Sequence, residues 1–418
     1  MRKYISVFMV AVMLFLTSCG TTTQKSIVTK TNGKVSLPIN GNFKFKDDII
    51  IEYEKTGTGS VVKNARAYTY KDGEFYELER FETEITVPKK YTVYGEVYGK
   101  DQNLPLQYFV CEGQVYAFLN KDVADNKFSC FKAFSIPQND ECVIIEDFTN
   151  IWPIYLNIKT GEMKPVVDLN NQDGPLTASV NCISEDGKYA GVLGTKRDTF
   201  TSSSFIVNLE NFEITEVCPE IEEGYTATNS PLFFVKERMY FSCSLRPISR
   251  EGITERLYLY DTQKKRIEES KYELDGAVGV GSNDSIKIRA NPETGEVTIL
   301  DYELGTYCTY FLSPFNSWNA KVNKTGRYII GECFPNPPEY PEEVYTGGLQ
   351  GEPEYIVIDM KEQKTFDLRK ADSSFDYSTY DGVPCSYEWI TEKEIMVICH
   401  QDNDSYVKTV INVEDVKQ

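Results

Sequence analysis

The chain has 418 residues and a formal net charge of −19, with 63 acidic against 44 basic side chains. A surface this acidic repels nucleic-acid phosphates and anionic lipid headgroups, which argues against nucleic-acid binding. The single histidine, His400, excludes a histidine-rich metal site and leaves a serine–histidine–aspartate triad only one possible base.

The first residues have the pattern of an export signal. Arg2 and Lys3 precede an almost unbroken apolar run, Tyr4–Leu16. The run is well short of the roughly 20 residues that a helix needs to cross a bilayer. We therefore predict a signal peptide over residues 1–18.

This run ends in Leu16-Thr17-Ser18-Cys19-Gly20, which resembles the lipobox of bacterial lipoproteins. The resemblance implies that the cysteine receives a diacylglycerol, that the preceding bond is cut and that Cys19 becomes the mature N-terminus. Acyl chains such as palmitate, two or more together, hold a protein stably on a membrane. We expect an exported protein that is anchored by lipid to the cell membrane or outer membrane and faces away from the cytoplasm.

Residues 21–40 are rich in threonine, serine, lysine and asparagine, and they contain too few large apolar side chains to form a core. Residues 19–41 are predicted to be the lipidated N-terminus and a flexible tether. No second linker of this kind follows, so residues 42–418 are predicted to form one domain.

One hairpin pattern recurs along this domain. In Ile154–Val166 an apolar strand ends at Asn157, a Lys-Thr-Gly turn follows, and a second short strand leaves the turn. Further copies lie at 67–78, 204–217, 257–269, 297–311, 355–368 and 407–416. A single hairpin cannot bury its own apolar face, so repeated hairpins indicate a repeat architecture.

A second strand pair precedes the hairpin in some units, as in 180–193 and 320–332. Their turn glycines, Gly187 and Gly326, are separated by three repeats of about 46 residues, a length typical of propeller blades. Here the chain resembles the TolB-like and WD40-like β-propellers, whose blades carry an S-P-D-G-K type turn and a Y-x-x-D/N-x-x-T/S-G type hairpin. The match is incomplete, because Glu185 stands where that family usually has proline and no copy carries the WD dipeptide. The resemblance implies an all-β fold, a single propeller of four-stranded antiparallel sheets.

The number of blades follows from the polar residue that ends the third strand of each unit. Seven clear markers favour seven blades, and a poorer eighth marker at Asn120 leaves eight open. The clear markers are Thr69, Asn157, Asn208, Asp261, Asp301, Asp359 and Asn412. The segment 42–54 is predicted to be a strand but belongs to none of the repeats. We expect it to pair with the last blade and so close the ring.

No cofactor, metal or catalytic residue is predicted. No two of the ten cysteines besides Cys19 have C-x-x-C spacing, and most lie in apolar segments predicted to be strands. We therefore expect mostly free thiols in the core, and disulfides between some of these cysteines are left open. The acidic stretch Asp168–Gly174 is out of register with a calcium loop and is interpreted as a polar connection.

Insertions collect in one kind of loop. With the strands of a blade labelled A to D from the axis outward, the B–C connection varies most in length, and all B–C loops of a propeller emerge on one face. The insertions lie at 147–153, 194–203, 245–255, 334–354 and 400–405. The binding residues predicted on this face are Trp152, Lys196, Arg197, Arg246, Arg250, Tyr340, Tyr345 and His400.

These observations predict a monomeric, membrane-anchored, non-enzymatic module that binds a peptide, protein or glycan on its B–C face. One alternative is a carboxylate-dependent enzyme that acts on extracellular polysaccharide at the mouth of the axial channel. Another is an assembly or scaffold factor of the cell envelope, for which a broad apolar patch on one face is expected.

Overall fold

The computed structural model describes most of the chain. The described residues are 25–28, 42–46, 49–55, 62–91, 101–119, 131–147, 151–171, 174–248, 252–271, 285–291, 296–303, 306–312, 315–333, 353–370, 377, 385–401 and 405–415.

These residues form eight antiparallel sheets, and each sheet is made from one contiguous stretch of chain. Sheet 1 contains β1 (Lys25–Val28), β2 (Asn42–Lys46), β3 (Ile49–Lys55), β4 (Val62–Lys71) and β5 (Glu74–Glu77), and sheet 2 contains β6 (Phe81–Val87), β7 (Gln102–Cys111) and β8 (Gln114–Leu119). Sheet 3 contains β9 (Phe131–Ser135), β10 (Cys142–Asp147), β11 (Ile151–Asn157) and β12 (Met163–Pro165). Sheet 4 contains β13 (Thr177–Ile183), β14 (Tyr189–Thr195), β15 (Ser202–Asn208) and β16 (Ile214–Val217).

Sheets 5 to 8 continue the pattern. Sheet 5 contains β17 (Tyr225–Val235), β18 (Arg238–Pro247), β19 (Thr254–Asp261) and β20 (Arg266–Glu269), and sheet 6 contains β21 (Ile286–Asn291), β22 (Glu296–Asp301) and β23 (Thr306–Phe311). Sheet 7 contains β24 (Phe315–Val322), β25 (Tyr328–Cys333), β26 (Glu354–Asp359) and β27 (Lys364–Asp367). Sheet 8 contains β28 (Ser386–Trp389), β29 (Glu394–Gln401) and β30 (Ser405–Asn412). Short 3-10 turns at Lys89–Tyr91 and Leu368–Lys370 are the helical elements of the described part, and it contains no helix long and apolar enough to span a bilayer.

Successive side chains of a strand point to opposite faces of its sheet, and the apolar residues use both faces. In β29, Ile395 and Val397 pack against sheet 7, whereas Met396 and Ile398 pack against sheet 1. Eight apolar clusters of this kind join each sheet to the next. Because the last cluster joins sheet 8 back to sheet 1, the sheets form a closed ring, a β-propeller.

The ring has eight sheets among the described residues, the larger of the two numbers that the sequence left open. The seven clear markers omit sheet 2, whose own marker, Asn120, follows β8 and lies outside the described residues. The described part is all-β, as predicted, and four of its eight antiparallel sheets are four-stranded: sheets 3, 4, 5 and 7. Sheet 1 has five described strands, and sheets 2, 6 and 8 have three each.

The expected pairing of 42–54 with the last blade is wrong. This stretch forms β2 and β3, which pair with each other and with β4 inside sheet 1. The junction of sheets 8 and 1 is made by side chains, including Ile50 and Tyr68 against Met396 and Ile398. In addition, four residues of the predicted tether form β1, which pairs with the outer strand β5.

Six of the seven clear markers end their strands and cap the turn that follows, whereas Thr69 lies inside β4, two residues before its end. The Oδ1 atom of Asn157 accepts hydrogen bonds from the backbone N–H groups of Lys159 (3.0 Å) and Thr160 (2.9 Å), and Gly161 adopts a φ of 75°. The same hydrogen bond, from the N–H two residues ahead, is made by Asn208, Asp261, Asp301, Asp359 and Asn412.

A buried carboxylate links two neighbouring sheets. Glu146 of β10 is 2% exposed and accepts hydrogen bonds from the Ser179 hydroxyl (3.0 Å) and the Val180 N–H (2.8 Å) of β13. Satisfied buried polar groups of this kind fix how two surfaces meet.

Most of the described cysteines are free, as expected. Cys111, Cys142, Cys182, Cys218, Cys243, Cys308 and Cys333 are thiols. Cys385 and Cys399 form a disulfide, which links the beginning of sheet 8 to the end of β29.

Candidate binding face at the B–C end of the sheets

The two ends of the sheets are structurally distinct. The Tyr70 hydroxyl, beside the C–D turn of sheet 1, donates a hydrogen bond to Glu394, which follows the A–B turn of sheet 8 (3.2 Å). The A–B and C–D turns therefore share one end of the propeller, which we call the turn face. The B–C connections emerge at the opposite end, the B–C face. For sheets 1 to 8 in turn, these connections are 56–61, 112–113, 148–150, 196–201, 248–253, 292–295, 334–353 and 402–404.

Two basic residues predicted to bind ligand are occupied within the fold. The Lys196 ammonium lies 2.9 Å from Glu216 Oε1, and this hydrogen-bonded ion pair raises the pKa of Lys196. The Arg197 guanidinium donates to the backbone carbonyls of Gly174 (3.1 Å) and Leu169. Arg197 thus links the B–C loop of sheet 4 to the polar connection Asp168–Gly174.

Trp152 is also placed in the scaffold. It is the second residue of β11 and is half-buried against the apolar cluster between sheets 2 and 3. Its ring centroid lies 6.4 Å from that of Tyr91. This packing leaves only part of the indole to the solvent.

The remaining predicted residues are placed less fully. Arg246 is exposed near the B–C end of β18. The backbone of His400 lies in β29 opposite Tyr406. Arg250, Tyr340, Tyr345 and the predicted lipidation site Cys19 lie outside the described residues. No group of three or more histidine, cysteine or acidic side chains is placed to hold a metal ion within the described ranges.

Exposed apolar side chains single out the B–C face more clearly than the charges do. Six large apolar residues of the described part are exposed, three of them by more than 70%, and all six lie at this end. They are Leu176 (40%), Phe200 (72%), Tyr225 (39%), Ile248 (71%), Ile253 (56%) and Phe311 (76%). We call this set the apolar patch.

Strand register establishes the position of each residue of the patch. Tyr225 begins β17 opposite Pro247, and Phe311 ends β23 opposite Glu296, the first residue of β22. The Leu176 N–H donates to Thr195 O (2.7 Å) at the B–C end of β14. Phe200, Ile248 and Ile253 lie in the B–C loops of sheets 4 and 5, so the patch covers sheets 4 to 6.

The loops that carry the patch have a defined backbone. Phe200 has a φ of 54°, which is uncommon for a residue with a large side chain. This conformation is held by hydrogen bonds from Phe200 N–H to Lys196 O (3.0 Å) and from Lys196 N–H to Thr201 O (2.9 Å). The Ile248 N–H likewise donates to Gly224 O (2.9 Å). The phenyl ring of Phe200 is thus exposed to solvent on a loop whose backbone is held by its own hydrogen bonds.

Acidic side chains surround part of the patch. Glu220, Glu222 and Glu223 precede Tyr225 and are exposed, as is Glu255 two residues after Ile253. The surface combines protruding apolar side chains with a charged border, in which these four glutamates lie beside the exposed basic residues Arg246, Arg256 and Lys271. Such a surface complements a partner that offers apolar side chains and charged groups of both signs.

The apolar patch is not identified from the sequence, because the residues predicted on this face are basic side chains, one tryptophan and two tyrosines. The sequence does contain an indication of the patch, because Phe200, Ile248 and Ile253 are apolar residues within otherwise polar predicted loops. Apolar residues in a loop have no sheet neighbour to bury them, and this distinguishes them from the apolar residues of the strands.

No protein-family model and no curated protein sequence matches the chain. Among solved structures, the chain is similar to an oligogalacturonate lyase from Vibrio parahaemolyticus, with 12% identity and a TM-score of 0.43 over 88% of this chain and 99% of that one. It is also similar to TolB from Acinetobacter baumannii, with 10% identity and a TM-score of 0.30 over 80% and 78% of the two chains. A third similar structure is dipeptidyl peptidase 4 from Porphyromonas gingivalis, with 8% identity and a TM-score of 0.42 over 80% and 52%. At such low identities none of these activities is carried over to this chain.

Proposed function

We propose that the chain is a non-enzymatic interaction module whose apolar patch binds the surface of a partner protein outside the cytoplasm. The observation that carries this proposal is the one-sided distribution of exposed apolar side chains. Apolar side chains that protrude together at one end of neighbouring sheets mark an interaction surface more often than singly scattered ones do.

The energetics favour burial of the patch. Full burial of a phenylalanine or isoleucine side chain is worth about 1.5–3 kcal/mol relative to exposure. Phe200, Ile248 and Phe311 are each more than 70% exposed, so each has most of that free energy still to gain. Because the loop backbone around Phe200 is already hydrogen-bonded, little conformational entropy is lost when a partner covers it.

The chemistry of the patch favours a protein over a glycan. Its members are mainly isoleucine, leucine and phenylalanine, and Tyr225 alone among them carries a polar group. Sugar recognition needs several hydrogen-bonding groups beside an aromatic ring, whereas a protein surface needs apolar anchors with a polar border. The border here carries charges of both signs, which favours a partner protein whose surface offers complementary charged side chains.

The test is a pull-down from detergent-solubilised envelope extract with the full chain as bait. The double variant Phe200→Ser/Ile248→Ser is expected to lose at least tenfold in recovered partner, because it removes two protruding anchors. The matched control is Gln363→Ser, because Gln363 is exposed, lies on the turn face and has a φ of 53°, close to that of Phe200. Equal recovery by the double variant, the control and the unaltered protein would remove the patch as the binding surface.

A further inference from the structure

The N-terminal strand β1 determines where the predicted lipid anchor leaves the propeller. β1 pairs antiparallel with the outer strand β5, with Lys25 opposite Glu77 and Val28 opposite Phe75. β5 starts just after the C–D turn on the turn face and runs toward the B–C face. β1 therefore runs the opposite way, and Lys25 is its end nearer the B–C face.

The chain that precedes β1 is short. Only residues 20–24 separate Cys19 from Lys25. An extended chain spans at most about 3.5 Å per residue, so six steps reach about 20 Å. If β1 were not docked, the whole predicted tether of residues 20–41 would allow the propeller to turn freely. Pairing of β1 with sheet 1 shortens this reach and gives it a direction.

We propose that the lipid anchor holds the B–C face toward the membrane, so that the apolar patch meets a protein embedded in that same membrane. This inference rests on the function proposed for the patch and on lipidation of Cys19. In a ring of eight sheets, sheet 5 lies across from sheet 1. The anchor at sheet 1 and the patch on sheets 4 to 6 therefore lie on opposite sides of one face, and attachment at both sides brings that face close to the bilayer.

A membrane protein fits the patch better than the lipid surface does. The net charge of −19 repels anionic headgroups as a whole, and the border of the patch mixes Glu220, Glu222, Glu223 and Glu255 with basic residues. A partner protein can place basic side chains opposite these glutamates, which a bilayer with anionic lipids cannot do.

The orientation can be measured by energy transfer to the bilayer. The full lipidated chain is reconstituted into phosphatidylcholine nanodiscs that contain an acceptor dye on the lipid headgroup. A donor dye is attached through a bio-orthogonal amino acid at position 200 on the B–C face or at position 363 on the turn face. We expect higher transfer from position 200, and equal or reversed efficiencies overturn the proposed orientation.

A pair of variants in β1 tests the cause. Ser26→Pro places a proline in the middle of β1, which weakens its pairing with β5, and is expected to abolish the difference between the two positions. Ser26→Ala keeps the N–H group and is expected to preserve the difference. An unchanged difference in Ser26→Pro overturns the role of β1.

A flotation assay identifies the occupant of the patch. The unlipidated chain Gly20–Gln418, without the predicted signal peptide and Cys19, is mixed with phosphatidylcholine vesicles and is expected to remain unbound. Flotation that is lost in Phe200→Ser/Ile248→Ser overturns the protein partner and identifies the bilayer as the occupant. The envelope pull-down in detergent does not depend on orientation. Its failure alone therefore rejects the proposed function and leaves the orientation of the face standing.

Discussion

The two ends of the propeller solve different problems with the same strands. On the turn face one solution is repeated, in which an asparagine or aspartate ends the third strand and caps the turn. On the B–C face each described loop is different, and all the strongly exposed large apolar residues of the described part lie there. The residues of the turn face are needed for the conformation of the backbone, because they cap its turns. The exposed apolar residues of the B–C face are not needed for it. Substitutions on the turn face should change stability, and substitutions on the B–C face should change binding.

The largest effect on stability is expected from Asp359→Ala. Asp359 is 0% exposed, accepts hydrogen bonds from the N–H groups of Lys361 (3.1 Å) and Glu362 (3.2 Å), and lies 3.2 Å from the Arg327 guanidinium. Alanine leaves these donors without their acceptor and should lower the free energy of unfolding by about 3 kcal/mol. Urea denaturation gives the value. Asp359→Asn is the control, because an amide oxygen can still cap the turn, and its loss should be clearly smaller.

A smaller, pH-dependent effect is expected at Asp261. Burial of this carboxyl opposes ionisation, but the Lys264 N–H and ammonium and the Gln263 N–H outweigh it, so the pKa of Asp261 is lowered. A lowered folded-state pKa adds stability above the unfolded-state value of about 3.9, and this stability is lost as the pH falls through the folded-state pKa.

Asp261→Asn should therefore lose this part of the pH dependence while it retains the turn cap. The measurement is the thermal midpoint from pH 7 down to pH 3 for the variant and the unaltered protein. Identical curves would mean that the Asp261 charge adds nothing to the cap.

The smallest effect on stability is expected from Phe200→Ser/Ile248→Ser. Both side chains are more than 70% exposed, so their loss should change the free energy of unfolding by at most about 0.5 kcal/mol. The same urea experiment checks this value. A loss above about 1 kcal/mol would show that the loops of the B–C face support the fold, and the contrast between the two ends would then fail.

Much of the architecture could be predicted because its signals are local. Strand alternation, turn residues and the markers from Asn157 onward depend on neighbours in the sequence. The count of eight was harder, because the marker of sheet 2, Asn120, is poor. The pairing of 42–54 was predicted wrongly, since the choice between the first and last sheets depends on contacts that no local pattern encodes.

The candidate site was predicted only as a face. The insertions in the B–C connections indicate the end of the strands on which the patch lies, but the residues predicted there are mainly basic or carry polar aromatic rings, and none of them belongs to the patch. The sequence gives no sign that Arg197 bonds to carbonyls of the adjacent connection or that Trp152 packs against sheet 2 and sheet 3. These contacts join parts of the chain whose proximity follows only from the ring.

The closed ring of contiguous sheets also bears on how such a chain can change over evolutionary time. In the described part no strand is shared between two sheets, and every junction, including that of sheet 8 with sheet 1, is made by side chains. One in-frame duplication or deletion of a repeat can therefore add or remove a complete sheet without interrupting a strand ladder. The circumference of the ring can then grow or shrink in whole units while each remaining sheet keeps its internal hydrogen bonds.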